Sequence, residues 1–579
     1  MRRIGMAVCA LAILCQMLVL PVMAAPSVAS AGTDTLTTGV AGATDLIGYN
    51  DYVAQYPGDA ATESVEIPAT DGVESFDKVE EPEVEEPEID APEADAPEAD
   101  APEADAPEAD APDANEPVTA TVVGEEPAEE TVTKTENSLI FNTIGAQATW
   151  TGITVPQTGW YKVSFTYSGV EDKGSSSDME LSLKVNGKFP YKEAQNFVLP
   201  RTWVDDGGIR VSNNNEFAPE QKEVFDPKKM PMRDVNGFVS VDLCLYLVAG
   251  EEIEFTLISS GEPVALYAIH LDPPSTVLSY KDQVKAWEEA GVKYYDGDEV
   301  VVEAELSDYK SDRTVIGLSD NSNPAVQPSD AYHQRVNYIG GSNWSMPDEE
   351  IVWTVKAPAT GLYKVGFHYR QNYLVNATSY RSLKINGEYQ YSEMAAVGFD
   401  YKNSWKFMES FANGDPILVY LQEGENKVSL TVTLGAMNEF NAQMEDLTYK
   451  LGEMYRDIIA IIGETPDKNT DYELFISIPT LASEMEELRE QIADMIASRR
   501  VGKKDIDDNA AMLQKMDVVL ERMLKKQYEA QNYKSNFYDC YSSLTAQLQD
   551  MKNMALDLDC MVFASPDTEK CERNSATFW

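Results

Sequence analysis

Histidine is nearly missing from this chain: His270, His333 and His368 are the three in 579 residues. So small a supply limits imidazole bases and zinc ligands. Basic side chains are also scarce, with 45 Lys and Arg against 98 Asp and Glu and a net charge of −53. A phosphate backbone is held by a basic face, so the balance excludes nucleic acid as a partner and disfavours docking on an anionic membrane surface. Of six cysteines, Cys9 and Cys15 fall in the first twenty residues, and Cys244, Cys540, Cys560 and Cys571 show no C-x-x-C spacing. Disulfide frameworks serve small domains without a core. Free thiols are expected, with one bridge among the last three left open. Beyond residue 20 no stretch approaches the ~20 apolar residues a membrane helix needs. No G-x-S-x-G, H-E-x-x-H or P-loop occurs. Carboxylates are plentiful but none is singled out as a glycosidase pair, so the expectation is a protein that is not an enzyme.

What is present begins with an address. Arg2 and Arg3 precede the apolar run Ile4 to Leu20, and Val22-Met23-Ala24 supplies small residues for cleavage near Ala24-Ala25. This reads as a signal peptide over residues 1–25 and an extracellular or cell-surface protein. Leu14 before Cys15 does not fit a lipobox, and no C-terminal sorting motif is present, which leaves the anchoring mode open.

Residues 26–134 read as a disordered acidic linker. Glu80 to Glu116 holds 17 carboxylates and no Lys or Arg, and P-E-A-D-A repeats four times from Pro92 to Ala111. Proline at every fifth position blocks helix, and carboxylate repulsion extends the chain. The expected role is a stalk, with weak calcium capture as the alternative.

An internal repeat follows. Trp150-Thr151 then V-P-Q-T-G-W-Y-K-V-S-F (Val155 to Phe165) matches Trp353-Thr354 then A-P-A-T-G-L-Y-K-V-G-F (Ala357 to Phe367). Both copies continue with L-K-x-N-G at Leu183 and Leu383, a Tyr at 191 and 391, and a Trp at 203 and 405. Both close on L-Y-L-V-A-G-E (Leu245 to Glu251) or V-Y-L-Q-E-G-E (Val419 to Glu425). The offset stays at 200–203 until the first copy inserts residues around 206–235. P-x-T-G is a turn, and N-G is a strong hairpin signal. Tyr363, Val365 and Phe367 alternate with Lys364, Gly366 and His368, which predicts one buried and one wet sheet face.

Between 436 and 555 the period becomes helical. Phe440, Met444, Leu447, Leu451, Met454 and Ile458 step 4-3-4-3-4, and similar stripes start at Leu481, Met512 and Phe537. The methionines suit either a helical core or a partner groove.

The opening Val302-Glu303-Ala304-Glu305, the run Gly361 to Val365 and V-Y-L-Q-E-G-E-N resemble carbohydrate-binding modules of families 6 and 35. That resemblance implies jelly-roll sandwiches closed by a strand of the form L-x-x-D-x-I. Val264 to Leu271 supplies it for the first copy. For the second, Leu556 to Phe563 either supplies it, making 436–555 an insertion, or opens a further domain. I-G-G-S-N-W (Ile339 to Trp344), R-S-L-K-I-N-G-E (Arg381 to Glu388), L-x-E-M-Y-R-D-I-I (Leu451 to Ile459), Asp471 to Leu474 and Ala564 to Asp567 resemble a second group. These are the N-terminal regions of large extracellular solute-binding proteins of Gram-positive sugar-type ABC transporters. In that group a periplasmic-binding fold follows; residues 568–579 carry no such signal, so sugar delivery to a permease is not carried over.

The expected fold is mainly β with α: two jelly-roll β-sandwich modules, the second with a helical bundle or coiled-coil insertion, after a disordered acidic linker. The segments are module one at 135–275, a short helical connector at 276–299, module two at 300–435 plus 556–566, the insertion at 436–555 and a tail at 567–579. The resemblance implies a structural calcium on Glu303, Glu305 and Asp559, the alternative being solvated strand carboxylates. Sugar rings need aromatic platforms beside amides, and Trp344, Tyr369, Asn403 and Trp405, with Trp203 in module one, are the candidates; the alternative is core packing. The expected function is non-catalytic carbohydrate binding or sugar-uptake association. The alternative is an assembly module docking a protein partner through the sandwiches and helices.

Overall fold

A computed structural model of the chain describes residues 46–75, 131–498 and 508–571, apart from 172, 174, 175 and 376. The expected leader and the acidic repeats lie outside the described residues.

Module one is two facing antiparallel sheets. In the first, Gly159–Gly169 pairs with Val264–Asp272, Lys228–Pro231 and Cys244–Leu247. Val264–Asp272 also pairs with Leu139–Phe141 and Val65–Pro68. The second sheet runs Val73–Ser75, Gln147–Ile153, Ile253–Ser259, Met179–Val185, Phe197–Leu199. Between them Trp150, Trp160, Phe165, Leu183 and Phe255 form the core. The N-G hairpins follow from backbone stereochemistry: Asn186 and Gly187 take φ of 50° and 75°, Asn386 and Gly387 53° and 86°, the conformation of a primed two-residue turn.

The expected linker, residues 26–134, contains folded structure at 46–75. Residues 46–75 belong to module one, and the acidic tract joins two of its strands instead of preceding it. Helix Tyr49–Gln55 lies across the free edge of Cys244–Leu247. The Cys244 N–H donates to the Tyr49 hydroxyl and the Tyr246 N–H to the Tyr52 hydroxyl, both at 3.1 Å. Tyr49 and Tyr52 are three apart and share a helix face, so they cap alternate donors of the edge strand. The Trp150 indole N–H donates to the Ala69 carbonyl at 3.1 Å.

Module two repeats this plan. Helix Tyr280–Glu289, expected as a connector, is its first element: Tyr280 and Trp287 are buried in its core. The Tyr280 N–H donates to Glu393 Oε2 (2.7 Å) as the Tyr49 N–H donates to Glu193 Oε2 (2.9 Å). The Trp353 indole N–H donates to the Ala304 carbonyl at 2.8 Å. Leu556–Ala564 pairs with Gly361–Gln371 on one side and with Val300–Glu303 and Tyr338–Gly341 on the other, and so completes this sandwich.

The predicted wet face is also buried. Lys364 and His368 have little exposed surface, because the loop before Tyr338 and the residues up to Cys571 lie over it. Lys364 binds Glu409 at 2.8 Å and also reaches the Thr568 carbonyl, and Cys571 packs against Gly366. The expected tail is therefore folded through residue 571. No disulfide joins the four cysteines, Cys244, Cys540, Cys560 and Cys571.

Helices Asn438–Ile462, Leu481–Ser498, Asp508–Lys525 and Lys534–Lys552 pack around Met444, Leu451, Met485, Ile492, Met516 and Leu544. The methionine stripes are core. Among the described residues no helix is long and apolar enough to cross a membrane.

Candidate functional site

The extra residues of the first copy become the contact between the modules. Trp203–Asp206 pairs with Glu220–Glu223 and, on its other edge, with Tyr309–Lys310 of module two. One sheet therefore continues across both modules. Lys310 is buried at this seam against the Asp205 carboxylate; burial drives its pKa down while Asp205 pulls it up. Arg233 reaches across to Asp348 at 3.3 Å.

The hairpin Arg210–Ser212 and Asn215–Phe217 turns through Asn213 and Asn214, with φ of 50° and 60°. It lies on the module-two segment 330–336. Glu216 N–H donates to the Gln334 carbonyl (2.9 Å), Val336 N–H to Glu216 Oε2 (3.1 Å), and Gln334 N–H to Asn215 Oδ1 (2.8 Å). Arg335 donates to the Asn214 carbonyl at 2.7 Å and pairs with Asp330 at 2.7 Å.

Hairpin and loop flank an open cleft of about 760 Å³. Arg210, Phe217 and Ala218 line the module-one side, and Leu318 to Ser322, Gln334 and Tyr338 the module-two side. Phe217 is 41% exposed. Behind the wall stands a hydrogen-bonded polar cluster. Asp320 Oδ2 accepts the Trp405 indole N–H and an Arg370 N–H, both at 2.9 Å. Arg370 lies over the rings of Trp405 (4.8 Å) and Tyr338 (5.8 Å) and binds Asp557 at 2.8 Å. Burial pushes Asp320 up, but bonds from Ser322 and Trp405 and the Arg370 charge outweigh it and hold the carboxyl below its ordinary range. Burial dominates at Asp557 and raises it despite Arg370. The cleft thus combines apolar faces with amide, hydroxyl and guanidinium groups over this polar cluster.

Most of the platforms expected from sequence are elsewhere. Trp344 is fully buried, donates to the Glu349 carbonyl at 3.1 Å and has the Arg381 guanidinium 4.0 Å from its ring centre. Tyr369 is core, its hydroxyl on the Asp400 carbonyl at 3.2 Å. Neither offers a face to a ligand. Trp203 is buried at the seam, and Asn403 is exposed outside the cleft lining. Trp405 alone of the five borders the cleft, as support for Asp320. Arg210, Phe217, Gln334 and Tyr338 were missed; the break in repeat offset at 206–235 was the signal for the first two.

Of the expected calcium ligands, Asp559 already has partners among the described residues. Asp559 Oδ2 is bound by His368 Nδ1 at 2.5 Å and its Oδ1 accepts the Gln327 N–H at 3.3 Å. Among the described residues the one group of three metal-capable side chains with donor atoms within 4.8 Å is His368, Asp559 and Cys560; Glu303 and Glu305 are outside it.

No family model and no curated protein matches the chain. Solved structures do. A cycloisomaltooligosaccharide glucanotransferase from Paenibacillus sp. is 16% identical over 24% of this chain, TM-score 0.18, and the match spans 17% of that enzyme. A family 35 carbohydrate-binding module from Clostridium thermocellum is 18% identical over 24% of this chain and 87% of its own, TM-score 0.17. One from Cellvibrio japonicus is 20% identical over 24% and 83%, TM-score 0.17.

Proposed function

We propose that the chain is an exported, non-catalytic carbohydrate-binding protein whose ligand lies in the cleft between the modules. The observation that carries this is the lining. Phe217 and Tyr338 supply ring faces for sugar C–H surfaces, and Arg210, Asn321, Gln334, Ser319 and Ser322 supply hydrogen bonds, in a volume of about 760 Å³ that suits a small ligand. Association with a sugar-uptake system, as the motif resemblance implies, is part of this proposal.

The test is a glycan array on the full chain, followed by calorimetry on each glycan retained. Phe217→Ala should weaken binding about tenfold, the weight of ~1.4 kcal/mol for a lost aromatic contact. Arg210→Ala should narrow the set of glycans bound. A flat array from folded protein, or binding indifferent to both substitutions, overturns the proposal. A second reading, docking of a protein through the helices, is favoured by one observation: Ile476 and Tyr528 are 73% and 79% exposed at the end of the helices remote from the sandwiches. Its test is partner capture lost on Ile476→Ser with Tyr528→Ser.

A further inference from the structure

We propose that His368, Asp559 and Cys560 form a binding site for a zinc-type transition-metal ion beneath the covered face of module two. The site rests on register. His368 of Gly361–Gln371 is paired with Cys560 of Leu556–Ala564, so their side chains share one face of the sheet. The register shifts between His368 and Tyr369, whose partner is Leu558. Asp559 is the extra residue of that bulge, and the bulge turns its carboxylate onto the imidazole at 2.5 Å. All three side chains are buried, and their donor atoms lie within 4.8 Å of one another. Phe407 stacks on the imidazole with ring centres 4.6 Å apart, and Trp405 flanks it at 5.7 Å, which fixes the ring plane.

The donor chemistry selects the ion. A thiolate, an imidazole and a carboxylate suit zinc or cobalt(II), whereas calcium takes six to eight hard oxygens. A tetrahedral ion with bonds of ~2.0–2.3 Å holds its donors roughly 3.3–3.8 Å apart. The His368–Asp559 contact of 2.5 Å therefore opens by about 1 Å to admit the ion. The thiol proton of Cys560 leaves to solvent on binding. The imidazole is coordinated neutral. Three protein donors leave a fourth position for water or a carbonyl. Burial gives the site a structural character: the ion joins two neighbouring strands, and Leu556–Ala564 is the strand on which both Val300–Glu303 and Tyr338–Gly341 depend.

The experiment is cobalt(II) titration of the full chain, reduced and stripped of metal. The expected result is a thiolate-to-cobalt charge-transfer band saturating at one equivalent and abolished by zinc. The band should be lost in Cys560→Ser, weakened in His368→Gln and kept in Cys571→Ser. Carboxylates of the acidic repeats give no such band, so the signal separates this site from them. A second readout needs no variant: in mild urea, zinc should slow alkylation of Cys560 while leaving Cys244 in module one unchanged. Absence of the band in folded wild type, its persistence in Cys560→Ser, or equal alkylation with and without zinc overturns the proposal.

Discussion

Removing two hydroxyls should open one edge of module one. Tyr49 and Tyr52 are buried, and their hydroxyls accept the Cys244 and Tyr246 N–H groups at 3.1 Å. Those two donors face away from the strand Gly159–Gly169 with which Cys244–Leu247 pairs. Tyr49→Phe and Tyr52→Phe keep the rings, including the edge-on contacts of Tyr49 with Tyr191 (5.0 Å) and Tyr52 with Trp160 (5.7 Å). Each substitution leaves one buried N–H without an acceptor, which costs about 1–3 kcal/mol. The two tyrosines are neighbours, so the double variant need not lose the sum. Alanine in place of either ring adds a cavity and raises the cost to roughly 3–5 kcal/mol. The measurement is amide exchange over residues 243–247, with Ile253–Ser259 in the other sheet as reference. The double Phe variant should exchange at Cys244 and Tyr246 at least ~10-fold faster, the factor of ~1.4 kcal/mol. Urea unfolding followed by tryptophan fluorescence should show an earlier transition. Unchanged exchange at both amides together with an unchanged transition would refute the edge-capping argument.

Arg370→Gln should destabilise module two by about 3–5 kcal/mol, because it strips the buried Asp557 and Asp320 of their shared cation; thermal unfolding reads this. Burial drives Glu193 and Glu349 up to about 7, against backbone N–H bonds that pull them down. The folded chain keeps these protons from the ordinary 4.5 up to about 7 while the unfolded chain has released them, so stability falls as pH rises through that window. The loss is up to about 3 kcal/mol per group. Glu349→Gln should flatten its share of the slope in urea unfolding measured from pH 4.5 to 7.5, and an unchanged slope would contradict it. Lys310→Met should be tolerated better than Lys310→Ala, since the aliphatic stem fills the seam beside Trp203; paired thermal melts decide.

The sandwiches and helices were legible because their periods are local. Alternation and N-G turns mark Gly361–Gln371 and its neighbours, and the 4-3 steps mark the helices down to individual buried residues such as Met444 and Leu451. The start of module one was not legible in the same way. Val65–Pro68 is four residues long, and its partner Val264–Asp272 is some 200 residues away across an acidic insert. A signal did exist: Tyr49-Asn50-Asp51-Tyr52-Val53 repeats as Tyr280-Lys281-Asp282-Gln283-Val284. The fate of the outer face was illegible for another reason. Alternation shows which side of a strand is apolar, not whether a loop later covers the polar side. Lys364 and His368 look solvated by pattern and are buried by what lies over them. The burial of Trp344, Tyr369 and Trp203 was hidden likewise, since nothing local tells that Arg381 stacks on Trp344.

The two copies differ most where they build the cleft. In module two the stretch from Tyr309–Lys310 to Tyr338–Gly341 carries Leu318, Ser319, Asn321, Ser322 and Gln334 to the lining. Its topological counterpart in module one runs from Val73–Ser75 to Leu139–Phe141, and there the acidic repeats stand. This follows from pairing: Val73–Ser75 and Tyr309–Lys310 each flank the strand bearing the paired Trp150 or Trp353, and Leu139–Phe141 and Tyr338–Gly341 each flank the closing strand. Module one contributes instead through its hairpin Arg210–Ser212 and Asn215–Phe217, which has no counterpart among the described strands of module two. The first copy carries the hairpin, and the second carries the loop. The continuous sheet through Trp203 and Lys310 holds these two divergent parts in register. The cleft is therefore a property of the pair, and separating the modules removes one of its walls.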